Sequence, residues 1–162
     1  MTARIGYLAD HLGFVPLLAE WQHREWGHLS PGESSESRAE RLRAEARRGG
    51  IPTVLVAVEG AALLGAASLV AHDMDGREDL SPWLAAVGVL PDFRRRGVGS
   101  ALVRAVVDEA ARLRVGTLYL YTTSRENESF YRGLGWSVRE RVEYLGKRRV
   151  IMEIALVARA RS

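Results

Sequence analysis

Blocks of apolar and polar residues mark the elements along the chain. Ile5–Leu8 reads as a short strand. From His11 to Trp26, Leu12, Val15, Leu18, Ala19 and Trp26 fall at roughly helical spacing, and Pro16 suits only a first turn, so the helix starts later than the stripe. Gly27 through Ser35 breaks the pattern. Ser34 or Ser35 then caps a strongly charged helix over Glu36–Arg48, closed by Gly49-Gly50. Thr53–Glu59, rich in valine, and Leu63–Ala71 predict two strands joined by a turn at Gly60. Asp73–Pro82 is polar and loop-like, with a turn pair at Asp75-Gly76, and Leu84–Leu90 is a further strand stopped by Pro91. Leu102, Val106, Ala110 and Leu113 recur at helical spacing and define the clearest helix, Val98–Leu113, ended before Gly116. A strand at Thr117–Tyr121, a short helix at Arg125–Leu134 and strands at Trp136–Tyr144 and Arg148–Leu156 complete the order.

That order, β-α-α-β-β-β-α-β-α-β-β, predicts one mixed α/β domain over residues 1–162, with Leu84–Tyr121 as a parallel βαβ unit. A chain of 162 residues and 17.9 kDa is the size of one ordinary domain, and 47% hydrophobic residues suffice for its core. No run of about 18 apolar residues is present to span a membrane. The segment Met1-Thr2-Ala3-Arg4-Ile5 lacks the apolar stretch of a secretory signal, so the expectation is a cytoplasmic protein. With no cysteine there is neither a disulfide nor thiol catalysis. Histidines at 11, 23, 28 and 72 show no metal-ligand spacing, and no HExxH occurs, so no metal is expected.

Net charge is +3 and the pI 9.7, but the basic excess is local: Arg94-Arg95-Arg96 is one cluster and Lys147-Arg148-Arg149 another. Local clusters suit one multiply charged small ligand better than a long polyanion. No aromatic-basic RNA motif appears, and the helix after Gly99 carries Asp108 and Glu109, so a nucleic-acid partner is not expected.

Pro91-Asp92-Phe93-Arg94-Arg95-Arg96-Gly97-Val98-Gly99-Ser100 joins a strand to the clearest helix. The first turn of a helix has unpaired N–H groups and partial positive charge. Glycines at 97 and 99 let a phosphate approach those donors, and three arginines attract it, which describes a site for a group such as a pyrophosphate. No lysine follows Gly99 as a P-loop requires. A dinucleotide fingerprint would need a third glycine or an alanine where Leu102 stands, and the strand Leu118–Tyr121 lacks a ribose-binding acid.

The run Leu84-Ala85-Ala86-Val87-Gly88-Val89-Leu90-Pro91, followed by Arg94-Arg95-Arg96-Gly97-Val98-Gly99, resembles the signature of the GNAT superfamily of acyl-CoA N-acyltransferases: a V-x-P strand end, then [QR]-x-x-G-x-[GA] opening a helix. Phe130-Tyr131 and Gly135-Trp136 are similar to that family's second motif. The resemblance implies a central mixed, mostly antiparallel sheet flanked by helices. It also implies acetyl-CoA as cofactor, its pyrophosphate held by backbone amides from Arg95 to Ser100 beside Arg94, Arg96, Gly97, Val98 and Gly99. The backbone of Val87 and Val89 would run along the pantetheine. A homodimer is the expectation on the same ground. The family more often has asparagine seven residues before the tyrosine, where this chain has Ser124; Asn127 lies closer in and is the nearest candidate for that cofactor contact.

Attack of an amine on a thioester expels a sulfur anion, and Tyr131 is chemically able to act as the general acid toward it; the alternative is a packing residue, as Phe130 is expected to be. The strand Leu84–Val89 lacks the glutamate some members use as base. Glu25, His28, Asp73, Asp75, Glu78 and Asp79 remain open as bases acting through water. Trp83 and Trp26 are candidate walls of an acceptor site, and Glu25 and Asp79 candidate contacts for a cationic amine. The function expected is transfer of acetyl to a primary amine of a small molecule by direct attack in a ternary complex. A non-catalytic acyl-CoA sensor of the same fold is the alternative.

Overall fold

The structure is a computed structural model and describes residues 3–156. Strand β1 (Arg4–Tyr7) leads through two short 3₁₀ turns into α1 (Val15–Trp26), and α2 (Ser35–Glu45) follows. Strands β2 (Thr53–Glu59), β3 (Ala62–Val70) and β4 (Trp83–Val89) precede α3 (Val98–Arg112), β5 (Thr117–Thr122), α4 (Arg125–Gly133), β6 (Ser137–Tyr144) and β7 (Lys147–Ala155). The predicted order holds throughout. Helix α1 begins at Val15 and takes Pro16 in its first turn, while Leu12 lies outside it, 51% exposed. Ser34 caps α2: its Oγ accepts the Ser37 N–H at 3.1 Å, and the Ser37 side chain reciprocates. Helix α2 stops at Glu45 instead of Arg48, because the Arg47 carbonyl accepts the Thr53 hydroxyl and the Arg47 side chain donates to Ile51 O.

One seven-stranded sheet has the order β1-β2-β3-β4-β5-β7-β6. Neighbours are antiparallel except β4 and β5, which are parallel across α3. Helices α3 and α4 cover one face, where Leu55, Leu64, Leu102, Val106, Leu118 and Met152 form the larger core. Helices α1 and α2 cover the other through Leu18, Trp21, Leu42, Val54, Val56 and Leu63. Strand β2 is buried on both faces, which accounts for its unbroken apolar run. A third cluster of Met74, Leu80, Trp83 and Ile151 fills the α1/α2 side beyond β4.

The joint between β4 and β5 positions everything that follows. Its register pair is Trp83↔Tyr119, near the start of both strands, with the Tyr119 N–H donating to Pro82 O at 3.1 Å. Strand β4 then bulges: Ala66↔Gly88 is followed by Ser68↔Ala85, leaving one extra residue on β4, and Ala86 sits at φ 52°. A bulge bends its strand and interrupts pairing. Further along, β4 is paired to β3 and β5 to β7, and the two strands part.

Candidate functional site

Past the parting strands, a turn at Pro91–Phe93 leads to an extended Arg94 (φ −70°, ψ 160°). Arg95 and Gly97 are both left-handed, at φ 65° and 79°, and Gly97 is the N-cap of α3 with no side-chain cap. Among the described residues the backbone N–H groups from Arg95 to Ser100 donate no hydrogen bond, and the first to find a carbonyl is Ala101, to Gly97 O at 3.1 Å. Backbone of alternating hand ahead of a helix turns successive N–H groups into one concavity, an anion nest. Gly97 is required for its backbone angle; a Cβ there would meet only open space. Gly99 faces Val89 and Phe130, which a Cβ would approach to 3.6 and 3.7 Å.

This loop floors a cavity of about 510 Å³ between the ends of β4, α1, α3 and α4. Val87, Val89, Arg94, Arg95, Gly97, Val98, Gly99, Ser100 and Asn127 all line it, with Trp21, Glu25, Trp26, Gly88, Phe93, Phe130 and Tyr131. Arg96 does not: its Nη2 donates to Glu59 at 2.8 Å, and the guanidinium lies 5.9 Å from the Phe93 ring centre. Of the triple arginine, Arg96 therefore ties the loop to β2, and Arg94 turns its Nε back to Val89 O at 3.0 Å. Arg95 remains exposed on the rim.

A second cavity of about 570 Å³ opens on the other side of the parting strands. Trp26, Val87, Asn127 and Tyr131 belong to both linings. Tyr131 lies on α4, whose N-cap Ser124 accepts the Asn127 N–H at 3.0 Å. Its ring is packed edge-on by Phe130 and Trp136, at centroid distances of 5.0 and 6.0 Å, and is 9% exposed. Among the described residues its hydroxyl makes no hydrogen bond, and burial pushes its pKa up to about 12. At neutral pH it is a hydrogen donor, not a base.

The candidate bases read from the sequence separate sharply. Glu25 lines the first cavity; His28 and Asp73 line the second. Burial pushes the Asp73 carboxyl up to about 7, aided by the charge of Glu45 and opposed by Arg41. Glu45, in the same lining, is raised chiefly by burial, against Arg41 and Arg38. Asp75, Glu78 and Asp79 line neither cavity. Asp79 is exposed and accepts from both Arg77 Nε and Nη2 at 3.1 Å, closing its own loop apart from the two cavities. Trp83 is also corrected: it is fully buried, its indole N–H donates to Leu80 O at 2.8 Å, and it packs on Tyr119 and Tyr121. The Ser81-Pro82 signal before it marks a strand start, not a loop wall. The second cavity is instead walled by Trp26, Tyr121, Tyr144 and Arg149, the last three unassigned from sequence.

The family model for the Acetyltransferase (GNAT) family matches residues 15–136. No curated protein sequence matches the chain significantly. Among solved structures, an aminoglycoside 6'-N-acetyltransferase complexed with coenzyme A superposes with a TM-score of 0.74 at 16% identity, covering 97% of this chain and 98% of its own. The ribosomal-protein-S18-alanine N-acetyltransferase of Escherichia coli gives 0.68 at 18% identity, covering 96% of this chain and 94% of its own. A GNAT family acetyltransferase of Elizabethkingia anophelis with acetyl-CoA bound gives 0.54 at 14% identity, over 72% of this chain and 80% of its own. At these identities the superpositions establish the shared fold, and the family model, spanning both loop and tyrosine, establishes the membership: this chain belongs to the Acetyltransferase (GNAT) family.

Proposed function

We propose that this protein transfers the acetyl group of acetyl-CoA to a primary amine of a small molecule, by direct attack in a ternary complex. The observation that carries this reading is the position of Tyr131, in the lining shared by two cavities that differ in chemistry. The first offers what coenzyme A needs: a concavity of unpaired N–H groups for a pyrophosphate and an apolar wall of Val87, Val89 and Phe130 for a thin chain. Acetyl-CoA supplies an activated acyl group as its thioester. The bulged β4 presents backbone that β5 leaves unpaired, able to align an extended ligand as an added strand would. From the second cavity an amine reaches the same junction. Asp73, held near neutrality, can take a proton from an ammonium there. The Tyr131 hydroxyl donates toward the departing sulfur.

Related folds carrying acetyl-CoA or coenzyme A support the cofactor, and the aminoglycoside enzyme supports a small-molecule amine as acceptor. The test combines calorimetric titration with acetyl-CoA and a screen for thiol release across an amine panel. Binding with amine-dependent thiol release is expected. Binding without release to any amine would leave an acyl-CoA sensor, and no binding would remove the cofactor assignment as well.

A further inference from the structure

We propose that the second cavity takes a small zwitterion, an amine that also carries an acid group as an amino acid does, and that Arg149 anchors the acid. The inference rests on the transferase reading for the role of that cavity. Arg149 is 7% exposed, yet it lines the cavity. Alternation along β7 sends Val150, Met152 and Ile154 into the α3/α4 core, so Arg149 and Ile151 face the opposite side. Its Nε donates to Tyr144 O at 3.2 Å, and its guanidinium lies 5.8 and 6.0 Å from the ring centres of Tyr121 and Tyr144. Among the described residues both Nη groups donate no hydrogen bond and no carboxylate pairs with it. The guanidinium is held in place by its Nε bond and two rings while its Nη donors open onto the cavity, and its planar fork fits a carboxylate or a phosphate there.

The other arginines of the lining are committed: Arg38 and Arg41 pair with Glu33 at 2.8 and 2.7 Å. Asp73 and Glu45 supply the opposite pole. Neither pairs with Arg149, and Arg149 is not among the charges that move Asp73. Tyr121 stands between the poles: its hydroxyl is raised by burial and by Asp73, and drawn down by Arg149. One cavity thus holds a cationic anchor and an anionic one that do not neutralise each other. A ligand with both charges satisfies both, whereas a simple amine leaves Arg149 unpaired. A volume of about 570 Å³ suits such a molecule.

The test is calorimetric titration of the protein saturated with coenzyme A, using amino acids and, for each, the matched amide and decarboxylated amine. Thiol release from acetyl-CoA is followed in parallel with the same compounds. Acids should bind more tightly than their amides and amines, and Arg149→Gln should weaken the acids by roughly 10- to 100-fold, the loss of a hydrogen-bonded charge, while leaving the amides and amines, which lack the carboxylate, and acetyl-CoA unchanged. Arg149→Lys keeps the charge without the fork and should recover part of the loss. Unchanged acetyl-CoA affinity shows that the variants remain folded. Amides and amines bound or acetylated as well as the acids, or a preference indifferent to Arg149, would overturn the inference and leave the transferase reading standing. Arg149-dependent binding of acids without acetyl transfer would uphold the site and remove the transferase reading instead.

Discussion

Tyr131→Phe removes one hydroxyl from the junction of the two cavities and leaves the ring against Phe130 and Trp136. Because that hydroxyl has no partner among the described residues, folded-state stability should change by less than about 1 kcal/mol. The size of the kinetic effect follows from its acidity. With a pKa pushed up to about 12, the phenol is protonated in all but roughly one molecule in 10⁵ at pH 7, so it is always available as a donor. Complete handover of its proton to a thiolate, whose thiol titrates near 8.5, would run uphill by about 5 kcal/mol at that acidity. The phenol therefore contributes mainly as a hydrogen bond to the developing sulfur charge and keeps its own proton, and the proton the released thiol finally carries is balanced by the one the nitrogen sheds on acylation. Losing one such donor in a water-poor site costs about 10²–10³ in rate, the lower part of the 10²–10⁴ range for a full general acid. The assay is single-turnover acetyl transfer with cofactor binding measured separately, so that slow product release does not hide the step. A Phe variant that binds acetyl-CoA normally and transfers at the parent rate would refute the reasoning and leave Tyr131 as packing.

Four further outcomes follow from the same geometry. Gly99→Val places two methyl groups beside Val89 and Phe130 at the floor of the first cavity, and should weaken acetyl-CoA binding by about tenfold or more in titration, as overpacking by 1–3 kcal/mol would. The folded Asp73 carboxyl holds its proton from its ordinary 3.8 up to about 7, so across that window the folded state binds more protons than the unfolded one and stability falls as pH rises; urea midpoints at pH 4.5 and pH 8 should converge in Asp73→Asn and differ more in the parent. Trp83→Ala should cost about 3–5 kcal/mol in urea unfolding because the side chain is fully buried, whereas Asp79→Asn should leave the amine KM unchanged in steady-state assays.

Element boundaries were legible because period and punctuation agree locally: β2 has the predicted bounds, and the other elements differ from theirs by one to four residues at an end. What failed to show was side-chain commitment across distant segments. Nothing near Arg96 announces Glu59, 37 residues away, so three adjacent arginines looked equivalent when Arg96 is tied to β2. Trp83 followed a loop signal, and its burial depends on Tyr119 and Tyr121 of a strand beyond α3. Arg149 was visible within Lys147-Arg148-Arg149 but inseparable from its neighbours until β7 fixed the alternation, which leaves Arg148 exposed and Arg149 buried. Asp73 stood among several loop acids; which of them faces a cavity is decided by the β3 exit, not by composition.

The feature that makes these scattered residues a site is small and costly. Ala86 sits at φ 52°, a region that disfavours any side chain by about 1–2 kcal/mol. The strain coincides with the extra residue that shifts the β3–β4 register. Without that residue, β4 would run on straight from Trp83, and its parallel partner would pair along its full length, as parallel strands joined by a helix ordinarily do. Pairing would consume the backbone groups of Val87 and Val89 and fill the space between the two cavities. The bulge spends local stability to keep β5 away, and α4, which follows β5 directly, brings Tyr131 to the gap thus created. The glycine loop, the bulge and the tyrosine are then three consequences of one strand-helix-strand-helix run. The fold built around that run is shared with an aminoglycoside 6'-N-acetyltransferase over 97% of this chain at 16% identity, while residues that wall the second cavity, Asp73 and Arg149 among them, come from segments outside the run and are free to differ.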